Sequence, residues 1–304
     1  MGNIVSSPVA REQTVPHATL LIVGLGYSGR AVALAAHAAG WRVLATSRRA
    51  DAAMPDGITA VPFVAAAPAI AVATHILVTA PPDAAGDPAL ALYAAQIRTA
   101  PHIRWVGYLS TTGIYGNRDG NWVDETTSPA PNADRSVRRV AAERDWADVA
   151  DSRAVDIFRL AGIYGPGSSI FDDLRAGRAR RIIKPDHAFG RIHRDDIAGA
   201  VVAAIRQDRP PGRRVLNLSD DEPAPSADVV TEAARLLGID PPPAIPFTTA
   251  WETMSPMARS FWSDNRKVSS RVTQETLGYR WRYPSYREGL RAILAEEAAQ
   301  DAPE

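Results

Sequence analysis

Three glycines near the start of the chain have the spacing of a dinucleotide-binding loop. Gly24, Gly26 and Gly29 form the pattern G-x-G-x-x-G between an apolar run and an Ala-rich one. Where such a loop joins a strand to a helix, the first glycine permits a tight turn and the second lets the backbone approach a pyrophosphate. The third allows the helix to pack closely on the strand, and the free N–H groups at the helix start attract phosphate. We predict a dinucleotide site here; a purely structural turn is the alternative interpretation.

The next apolar run ends in residues that favour one of the two nicotinamide cofactors. Sites for NAD place Asp or Glu at this point, about 20 residues beyond the glycines, to hold the ribose 2′-hydroxyl. Here Ser47, Arg48 and Arg49 follow, whose hydroxyl and guanidinium groups suit a 2′-phosphate that a carboxylate would repel. We therefore expect NADP rather than NAD, although solvated loop charges would also account for the two arginines. The predicted cofactor contacts are Gly24, Leu25, Gly26, Tyr27, Ser28, Gly29, Ser47, Arg48, Arg49, Ala80, Pro81 and Ser110.

A series of short motifs, in a fixed order, carries a family resemblance. The stretch YLSTTGIYG over 108–116 resembles the S-[ST]-x-x-V-Y-G signature of the extended short-chain dehydrogenases, the NAD(P)-dependent epimerase/dehydratase family. Further stretches similar to that family are VDETTSPAP (123–131), FRLAGIYGPG (158–167), RIHRDDIAGAV (191–201) and a C-terminal pattern over 264–290. The resemblance spans about residues 19–297 and implies an NAD(P)-dependent enzyme that acts on a carbonyl or sugar-nucleotide-like substrate.

Two departures separate this chain from the usual family pattern. Extended members commonly carry G-x-x-G-x-x-G, but Val23 stands at the first of those glycines. The family motif P-x-x-x-Y-x-x-x-K-x-x-x-E is anchored here on Pro131 and Glu143. It places Arg135 and Arg139 where the tyrosine and the lysine belong. Both departures resemble an atypical branch of the family that lacks the tyrosine.

The replaced pair matters because the resemblance assigns it the proton chemistry. In the family the tyrosine exchanges a proton with the substrate oxygen, while the lysine lowers the tyrosine pKa and holds the nicotinamide ribose. Arginine stays protonated, so Arg135 would act instead as a fixed charge that stabilises a developing alkoxide. Arg139 would keep the ribose contact. Thr111, aligned with the family's Ser/Thr, would hydrogen-bond a substrate carbonyl.

A substitute acid would have to come from elsewhere in the chain. The candidates are Tyr115, Tyr164, His193 and Glu125, whose side chains can all exchange a proton. Structural roles compete with these assignments. Each tyrosine lies in an IYG stretch that also fits a packed turn, and His193 precedes a helix that Asp195 and Asp196 would cap.

Two regions are candidates for the substrate side. Residues 175–184 are rich in basic side chains, and in the family this region faces a substrate whose pyrophosphate needs cations. Aromatic residues over 251–286 would stack on a base or a sugar. A solvated helix face and a packed small lobe are the respective alternatives. The basic residues are Arg175, Arg178, Arg180, Arg181 and Lys184, with Arg191 and Arg194 nearby. The aromatic residues are Trp251, Phe261, Trp262, Tyr279, Trp281, Tyr283 and Tyr286.

The elements that must position these residues alternate between strand and helix. Apolar runs over 19–24, 42–47, 74–80, 103–110, 154–162 and 214–219 predict buried strands. Helices are predicted over 28–40, 87–100, 135–149, after 193–196 and over 226–238, the last with Ser226 as its N-cap. Apolar strands alternating with helices indicate a parallel sheet covered on both faces.

The expected fold class is therefore α/β, a Rossmann-type doubly wound parallel sheet with a smaller C-terminal substrate lobe. We assign residues 1–17 to a flexible tail and residues 18–164, with 191–218 returning to them, to the NAD(P)-binding domain. We assign residues 165–190 and 219–304 to the substrate-side lobe. The Pro-rich stretch at 240–246 marks a boundary, beyond which short helices are predicted.

Composition excludes several classes of function. Lys and Arg together number 34, as do Asp and Glu, so the balanced charge gives no attraction toward nucleic acid or a membrane surface. The absence of cysteine excludes disulfides and thiolate chemistry, and the six scattered histidines show no metal-ligand spacing. No apolar run is long enough to cross a bilayer. We expect a cytoplasmic protein without a metal, able to form a homodimer.

The predicted function is an NADP-dependent oxidoreductase or epimerase/dehydratase-like enzyme with a non-standard proton relay. Its partner would be a small-molecule substrate, with a nucleotide sugar as one option. The alternative is a catalytically silent NADP-binding redox sensor or interaction module, which the missing tyrosine and lysine favour.

Overall fold

A parallel sheet forms the centre of the molecule. The computed structural model describes residues 18–47 and 54–300. Its strands are β1 (Thr19–Val23), β2 (Arg42–Ser47), β3 (Ile58–Pro62), β4 (His75–Val78), β5 (Trp105–Thr111), β6 (Trp122–Val123), β7 (Ala154–Leu160), β8 (Gly162–Tyr164), β9 (Arg181–Ile183), β10 (Arg191–His193), β11 (Gly212–Leu218), β12 (Ala244–Pro246) and β13 (Lys267–Val268). Seven of these strands make the main sheet, in the order β11-β7-β5-β4-β1-β2-β3, and all neighbours in it are parallel.

The direction of winding reverses beside β1. Strands β2 and β3 extend the sheet on one side of β1, and β4, β5, β7 and β11 extend it on the other. Ligands of open α/β sheets bind in the crevice at the carboxyl ends of the strands, at such a reversal. That crevice is bordered here by the ends of β1, β4 and β5, which the sequence analysis identified as the positions of the candidate site.

Helices cover both faces of the sheet. They are α1 (Tyr27–Ala38), α2 (Ala67–Ile70), α3 (Pro88–Thr99), α4 (Asp134–Val149), α5 (Ile170–Arg175), α6 (Arg194–Ile205), α7 (Ser226–Leu237), α8 (Phe247–Glu252), α9 (Pro256–Trp262), α10 (Arg271–Leu277) and α11 (Tyr286–Gln300). Successive residues of a strand point to opposite faces. Leu20 therefore packs with α1 and α6, whereas Leu21 packs with α3 and α4. The α/β fold class expected from the sequence is confirmed.

A smaller lobe stands over the carboxyl edge of the sheet. Its core joins α5, α7 and α11 through buried residues that include Phe171, Val230 and Leu290. Two parallel strand pairs, β8 with β10 and β9 with β12, connect separate parts of the chain at its base. The lobe therefore assembles from segments on both sides of β11, while β11 itself lies at the edge of the main sheet.

Most predicted elements are present, and the differences have physical reasons. All six predicted strands and five predicted helices exist, but β3 was missed because most of its residues are exposed and it ends in Pro62. The N-cap assignment of Ser226 is wrong, since α7 begins at Ser226 and Pro225 precedes it. Capping by Asp195 and Asp196 is also wrong, because His193 is itself the N-cap of α6. The tail assigned to residues 1–17 lies outside the described residues.

Candidate functional site

Two of the three glycines in the turn between β1 and α1 have a geometric reason to lack a side chain. Gly24 has a φ of +104°, and a Cβ there would lie 2.9 Å from the Thr79 hydroxyl oxygen. A Cβ on Gly29 would lie 2.5 Å from the carbonyl oxygen of Gly24. Around Gly26, by contrast, a Cβ would meet nothing within 4 Å. The turn is thus tight, packed closely on its helix and open toward the cleft at its middle residue.

Helix α1 begins at this turn with free N–H groups. Its N-cap is Gly26, which supplies no side-chain hydrogen bond, and its first turn contains no acidic residue. Two hydroxyls hold the turn in place: Gly24 N–H donates to Thr46 Oγ1 at 3.0 Å, and Thr79 Oγ1 donates to the Gly24 carbonyl. The free amides and the helix dipole make this terminus attractive to an anion.

A cleft runs along the carboxyl edge of the sheet as three chambers. The first chamber, of about 400 Å³, includes Gly24, Ser47, Phe63, Ala80 and Pro81 in its wall. The second, of about 330 Å³, includes Gly26, Ser28, Gly29, Ser110 and Arg139. The third, of about 410 Å³, includes Thr112, Arg135, Tyr164, Arg191, Phe261 and Arg266. Adjacent chambers share wall residues, so the three form one continuous cleft.

The predicted cofactor contacts lie along the first two chambers. Every one of them that the structure describes lines the first or the second chamber, including Leu25 in the first and Tyr27 in the second. Arg48 and Arg49, on which the expected preference for NADP depends, lie outside the described residues. A nicotinamide dinucleotide extended from β2 past the glycine turn would reach the end of β5.

Thr111, the last residue of β5, stands where the second chamber meets the third. Its Oγ1 accepts a hydrogen bond from Gly113 N–H at 3.0 Å. No acceptor for its hydroxyl proton is found in the described part of the chain. The hydroxyl of the preceding residue, Ser110, is already used, because it donates to Glu143 Oε1 at 2.5 Å. Thr111 is therefore the hydroxyl of this strand end that remains able to donate to a ligand.

Arg135 and Arg139 lie one turn apart on α4, and their guanidinium groups diverge. Arg139 lines the second chamber, where it donates to the Leu109 carbonyl and, at 3.4 Å, to the Tyr108 hydroxyl. Arg135 lines the third chamber, with its Cζ 4.0 Å from the centre of the Phe261 ring. Arg135, predicted to stabilise an alkoxide, and Arg139, predicted to contact the ribose, thus line different chambers.

Two of the alternative acids do not line the cleft: Tyr115 is buried and Glu125 is half-buried. Tyr115 is 0% exposed; its hydroxyl donates to Asn217 Oδ1 at 2.7 Å and accepts from Arg159 Nη1 at 3.0 Å. Burial raises the pKa of Tyr115. Glu125 Oε1 accepts from Thr273 Oγ1 at 2.6 Å. A catalytic role for either residue stays a prediction that this placement does not favour.

The other two alternatives lie near the third chamber. Tyr164 lines it, and burial raises the Tyr164 pKa. His193 packs edge-on against Tyr164, with ring centres 5.2 Å apart, and its Nδ1 accepts from Asp195 N–H at 3.2 Å. Burial lowers the pKa of His193 to about 4, so the ring is neutral near pH 7. These contacts favour a structural role for His193, as the N-cap of α6, over a role as proton donor.

The basic stretch expected on the substrate side does not line the cleft. Arg175 pairs with Glu297 at 2.6 Å and Arg178 with Asp173 at 3.0 Å. Arg181 donates to the Pro242 carbonyl at 2.8 Å, and Lys184 to that of Trp262 at 2.6 Å. Of the two basic residues that follow in sequence, Arg191 lines the third chamber, and Arg194 stacks on Tyr27, which lines the second.

Some site residues were not identified from the sequence. Thr79 ties the glycine turn to β4, and Arg266 lines the third chamber beside Asp264. The sequence shows that Thr79 ends a strand, but a strand end alone does not reveal which turn it meets. Of the C-terminal aromatics, Phe261 lines the cleft, whereas Trp281, Tyr283 and Tyr286 are buried in the fold. In the ranges that the structure describes, no cluster of metal-binding side chains occurs and no helix is long and apolar enough to span a membrane.

Comparison with known proteins identifies relatives of the whole chain. No protein-family model matches it. A functionally unknown conserved protein from Silicibacter pomeroyi DSS is 45% identical, with a TM-score of 0.84, over 92% of this chain and 99% of that one. Protein YeeZ of Escherichia coli strain K12 is 28% identical in an alignment 291 residues long, and the match covers 86% of this chain and 95% of YeeZ.

More distant solved structures share the fold. MoeE5, solved with UDP-glucuronic acid and NAD, has a TM-score of 0.76 at 19% identity and covers 92% of this chain and 99% of its own. The human epimerase family protein SDR39U1, solved with NADPH, has a TM-score of 0.68 at 19% identity and covers 91% and 99%. At this identity the likeness concerns the fold, which in both of these proteins is seen with a nicotinamide dinucleotide.

Proposed function

We propose that this chain, which belongs to the same family as the Silicibacter pomeroyi protein, is an NADP-dependent oxidoreductase of the epimerase/dehydratase type that acts on a small carbonyl substrate. The observation that carries the proposal is the continuous cleft. It runs from the end of β2, past the open glycine turn, to the hydroxyl of Thr111. Such a path matches the shape of an extended dinucleotide that meets a substrate at the strand end.

The cofactor would lie in the first two chambers. The adenosine half would occupy the first chamber, where β2 ends in Ser47 and continues into two arginines rather than a carboxylate. The pyrophosphate would meet the free amides of α1 over Gly26, and the nicotinamide would extend toward Thr111 in the second chamber. When bound, NADPH supplies a hydride to the carbonyl carbon.

The residues at the chamber boundary would stabilise the charge that develops on the substrate oxygen. The Thr111 hydroxyl would donate a hydrogen bond to it, and Arg139 would hold a fixed positive charge in the same chamber. An arginine side chain is a poor proton donor near neutral pH, so neither Arg135 nor Arg139 would supply the proton. The proton that completes the alcohol would therefore come from water through the third chamber, whose rim residue Phe261 is 54% exposed.

Cofactor binding is the first test of this proposal. Fluorescence titration of the full-length protein with NADPH and with NADH gives both dissociation constants. We expect NADPH to bind at least about tenfold more tightly, because the 2′-phosphate gains charge-assisted hydrogen bonds. Tighter binding of NADH would contradict the cofactor assignment, and failure of both to bind would contradict the function.

A catalytically silent NADP-binding protein is the second candidate, and one contact favours it. Arg139 donates hydrogen bonds to the Leu109 carbonyl and the Tyr108 hydroxyl, as a purely structural residue would. Oxidation of NADPH across a panel of aldehydes, ketones and sugar nucleotides separates the two candidates. Turnover of any member supports the enzyme, whereas tight NADPH binding without turnover supports the silent protein.

A further inference from the structure

The third chamber carries more positive than negative charge on its wall. Three guanidinium groups line it, those of Arg135, Arg191 and Arg266, and among its described wall residues Asp264 is the single carboxylate. Arg266 and Arg191 each donate hydrogen bonds to acceptors of the protein. The third does not, and this difference locates a binding position.

Arg266 forms an ion pair with Asp264. Its Nη1 donates to Asp264 Oδ2 at 2.8 Å and to the Gly116 carbonyl at 2.9 Å. The other carboxylate oxygen of Asp264 accepts from the Asn132 side chain. Burial lowers the pKa of Arg266, the Asp264 charge opposes this shift, and the nearby charge of Arg135 adds to it. Both carboxylate oxygens of Asp264 thus accept hydrogen bonds, one from Arg266 and one from Asn132.

Arg191 is engaged in a similar way. Its Nη1 donates to the carbonyls of Phe189 at 2.9 Å and Ala224 at 3.1 Å. The buried carboxyl of Asp220 lies behind it; burial raises the pKa of Asp220 to about 8, and the Arg191 charge opposes that rise. Arg191 therefore has a structural role, since it connects two backbone segments in the wall of the chamber.

Arg135 has no such partner. Its Cζ lies 4.0 Å from the centre of the Phe261 ring, and in the described ranges neither a hydrogen-bond acceptor nor a carboxylate contacts it. A guanidinium stacked on a ring uses its face and leaves its edge, with the N–H donors, free. That free edge borders a chamber of about 410 Å³ whose other walls include Leu160, Ile163 and Phe189.

We propose that Arg135 binds a carboxylate of the substrate, and that the third chamber takes a small carboxylic acid whose apolar body lies against Phe261 and Phe189. The proposal rests on the proposed function, because it assigns the third chamber to the substrate and the first two to the cofactor. It moves Arg135 from the alkoxide-stabilising role expected from the sequence to substrate binding.

The charge balance favours a carboxylate over the diphosphate of a nucleotide sugar. One unpaired guanidinium matches the single charge and the two oxygens of a carboxylate. A diphosphate needs more cations, and four of the basic residues expected to supply them contact protein groups outside the cleft: Arg175, Arg178, Arg181 and Lys184. The chamber therefore offers a place for one anionic group and an apolar body.

The test compares an acid with its neutral amide. Binding of phenylacetate and of phenylacetamide is measured by ligand-observed NMR on the full-length protein, with and without NADPH, for wild type, Arg135→Gln and the control Arg144→Gln. Arg144 lies on the same helix, is 70% exposed and pairs with Asp145. In wild type and in the control we expect phenylacetate to bind at least about tenfold more tightly than phenylacetamide. In Arg135→Gln this preference should disappear while phenylacetamide affinity stays the same.

Each other outcome overturns the proposal. Equal binding of the two probes to wild type, no binding of phenylacetate, or a preference that survives in Arg135→Gln would remove the carboxylate assignment. Tighter binding of UDP-glucose that depends on Arg135 would assign the guanidinium to a phosphate instead. The NADPH titration is read separately, so a failure of the proposed function shows as lost cofactor binding and is distinct from these results.

Discussion

At the scale of single residues, the candidate site contains two arginines, Arg135 and Arg139, at the positions that the family resemblance gives to a tyrosine and a lysine. Both guanidinium groups remain charged near neutral pH, so they can fix charge but cannot exchange protons. Their side chains diverge because Arg139 donates to the Leu109 carbonyl while Arg135 stacks on Phe261. Thr111 lies between the two chambers that they enter, and its hydroxyl is the group best placed to contact a reacting oxygen.

Replacement of Thr111 by Val tests this placement. We expect turnover to fall by about 10²-fold to 10³-fold, the range seen when one donor to a developing oxyanion is lost. The dissociation constant of NADPH should stay unchanged, since the substituted side chain keeps its size. Steady-state kinetics and NADPH titration measure the two effects.

A matched change at Thr99 provides the control. Thr99 lies at the end of α3, where its hydroxyl donates to the Ala95 carbonyl at 2.9 Å, away from the cleft. Thr99→Val should leave turnover intact. If Thr111→Val retained full turnover, the hydroxyl would have no part in the chemistry.

The sequence located these residues but not the directions of their side chains. Motif anchors at Pro131 and Glu143 place Arg135 and Arg139 on one helix, and the structure has them there on α4. Residues four apart share a helix face, so the spacing places both side chains on one side of the helix. What separates them is a contact with Phe261, which comes from the far end of the chain and is invisible to local spacing.

At the scale of elements, the turn between β1 and α1 sets the position of the predicted cofactor. Gly26 and Gly29 belong to the same motif but face different surroundings. The first borders open space, and the second lies against the Gly24 carbonyl. A substitution at Gly26 is therefore expected to affect cofactor binding, and one at Gly29 to affect the stability of the fold.

Alanine at each of these positions should have a different effect. Gly26→Ala fits its φ of −83° and meets no atom within 4 Å, so we expect the free energy of unfolding to change by less than about 1 kcal/mol. NADPH affinity should fall about tenfold or more, because the methyl group enters the space for the pyrophosphate. Gly29→Ala should lower stability by about 1–3 kcal/mol through overpacking.

Urea unfolding and NADPH titration of both variants check this pair. Unchanged NADPH affinity in Gly26→Ala would show that the pyrophosphate lies elsewhere. Unchanged stability in Gly29→Ala would show that the turn can move away from α1 at little cost.

The main elements could be predicted because their apolar runs are long and buried. The strand β3 could not, since only Ile58 of it is buried and alternation is therefore absent. The short pairs β8–β10 and β9–β12 have three residues per strand and carry no periodic signal. The two strands of each pair are far apart in sequence, so the pairing at the base of the lobe could not be predicted from local sequence patterns.

At the scale of the whole molecule, the glycine turn and the lobe are joined across the cleft. The Tyr27 hydroxyl donates to the Pro166 carbonyl at 3.0 Å, and Arg194 donates to the same carbonyl at 3.3 Å. Arg194 also stacks on the Tyr27 ring and reaches Glu296 on α11 at 3.4 Å. These contacts hold the glycine turn and the lobe together.

Buried histidines make the stability of this frame depend on pH. Burial lowers the pKa of His187 from 6.5 to about 4. As pH falls below about 6.5 the unfolded chain binds a proton that the folded chain does not, so stability is present above that pH and is lost toward pH 4. We expect this group alone to cost about 2 kcal/mol between pH 7.5 and pH 5.

Replacing His187 by Phe should remove that part of the pH dependence. The ring lies among aromatic neighbours, with Phe189 at 4.6 Å and Trp262 at 5.3 Å between ring centres, so Phe fits the same surroundings. Urea unfolding at the two pH values measures the difference. A variant that loses as much stability on acidification as wild type would refute the assignment.

The central claim is that hydride passes from NADPH to a substrate at the boundary of the second and third chambers. The most direct measurement incubates the protein with NADPH deuterated at nicotinamide C4 and a panel of small carbonyl acids, and examines the products by mass spectrometry. We expect wild type to form an alcohol that carries one deuterium on the former carbonyl carbon, and Thr111→Val to form much less of it. Tight binding of NADPH with no deuterium in any product would contradict it.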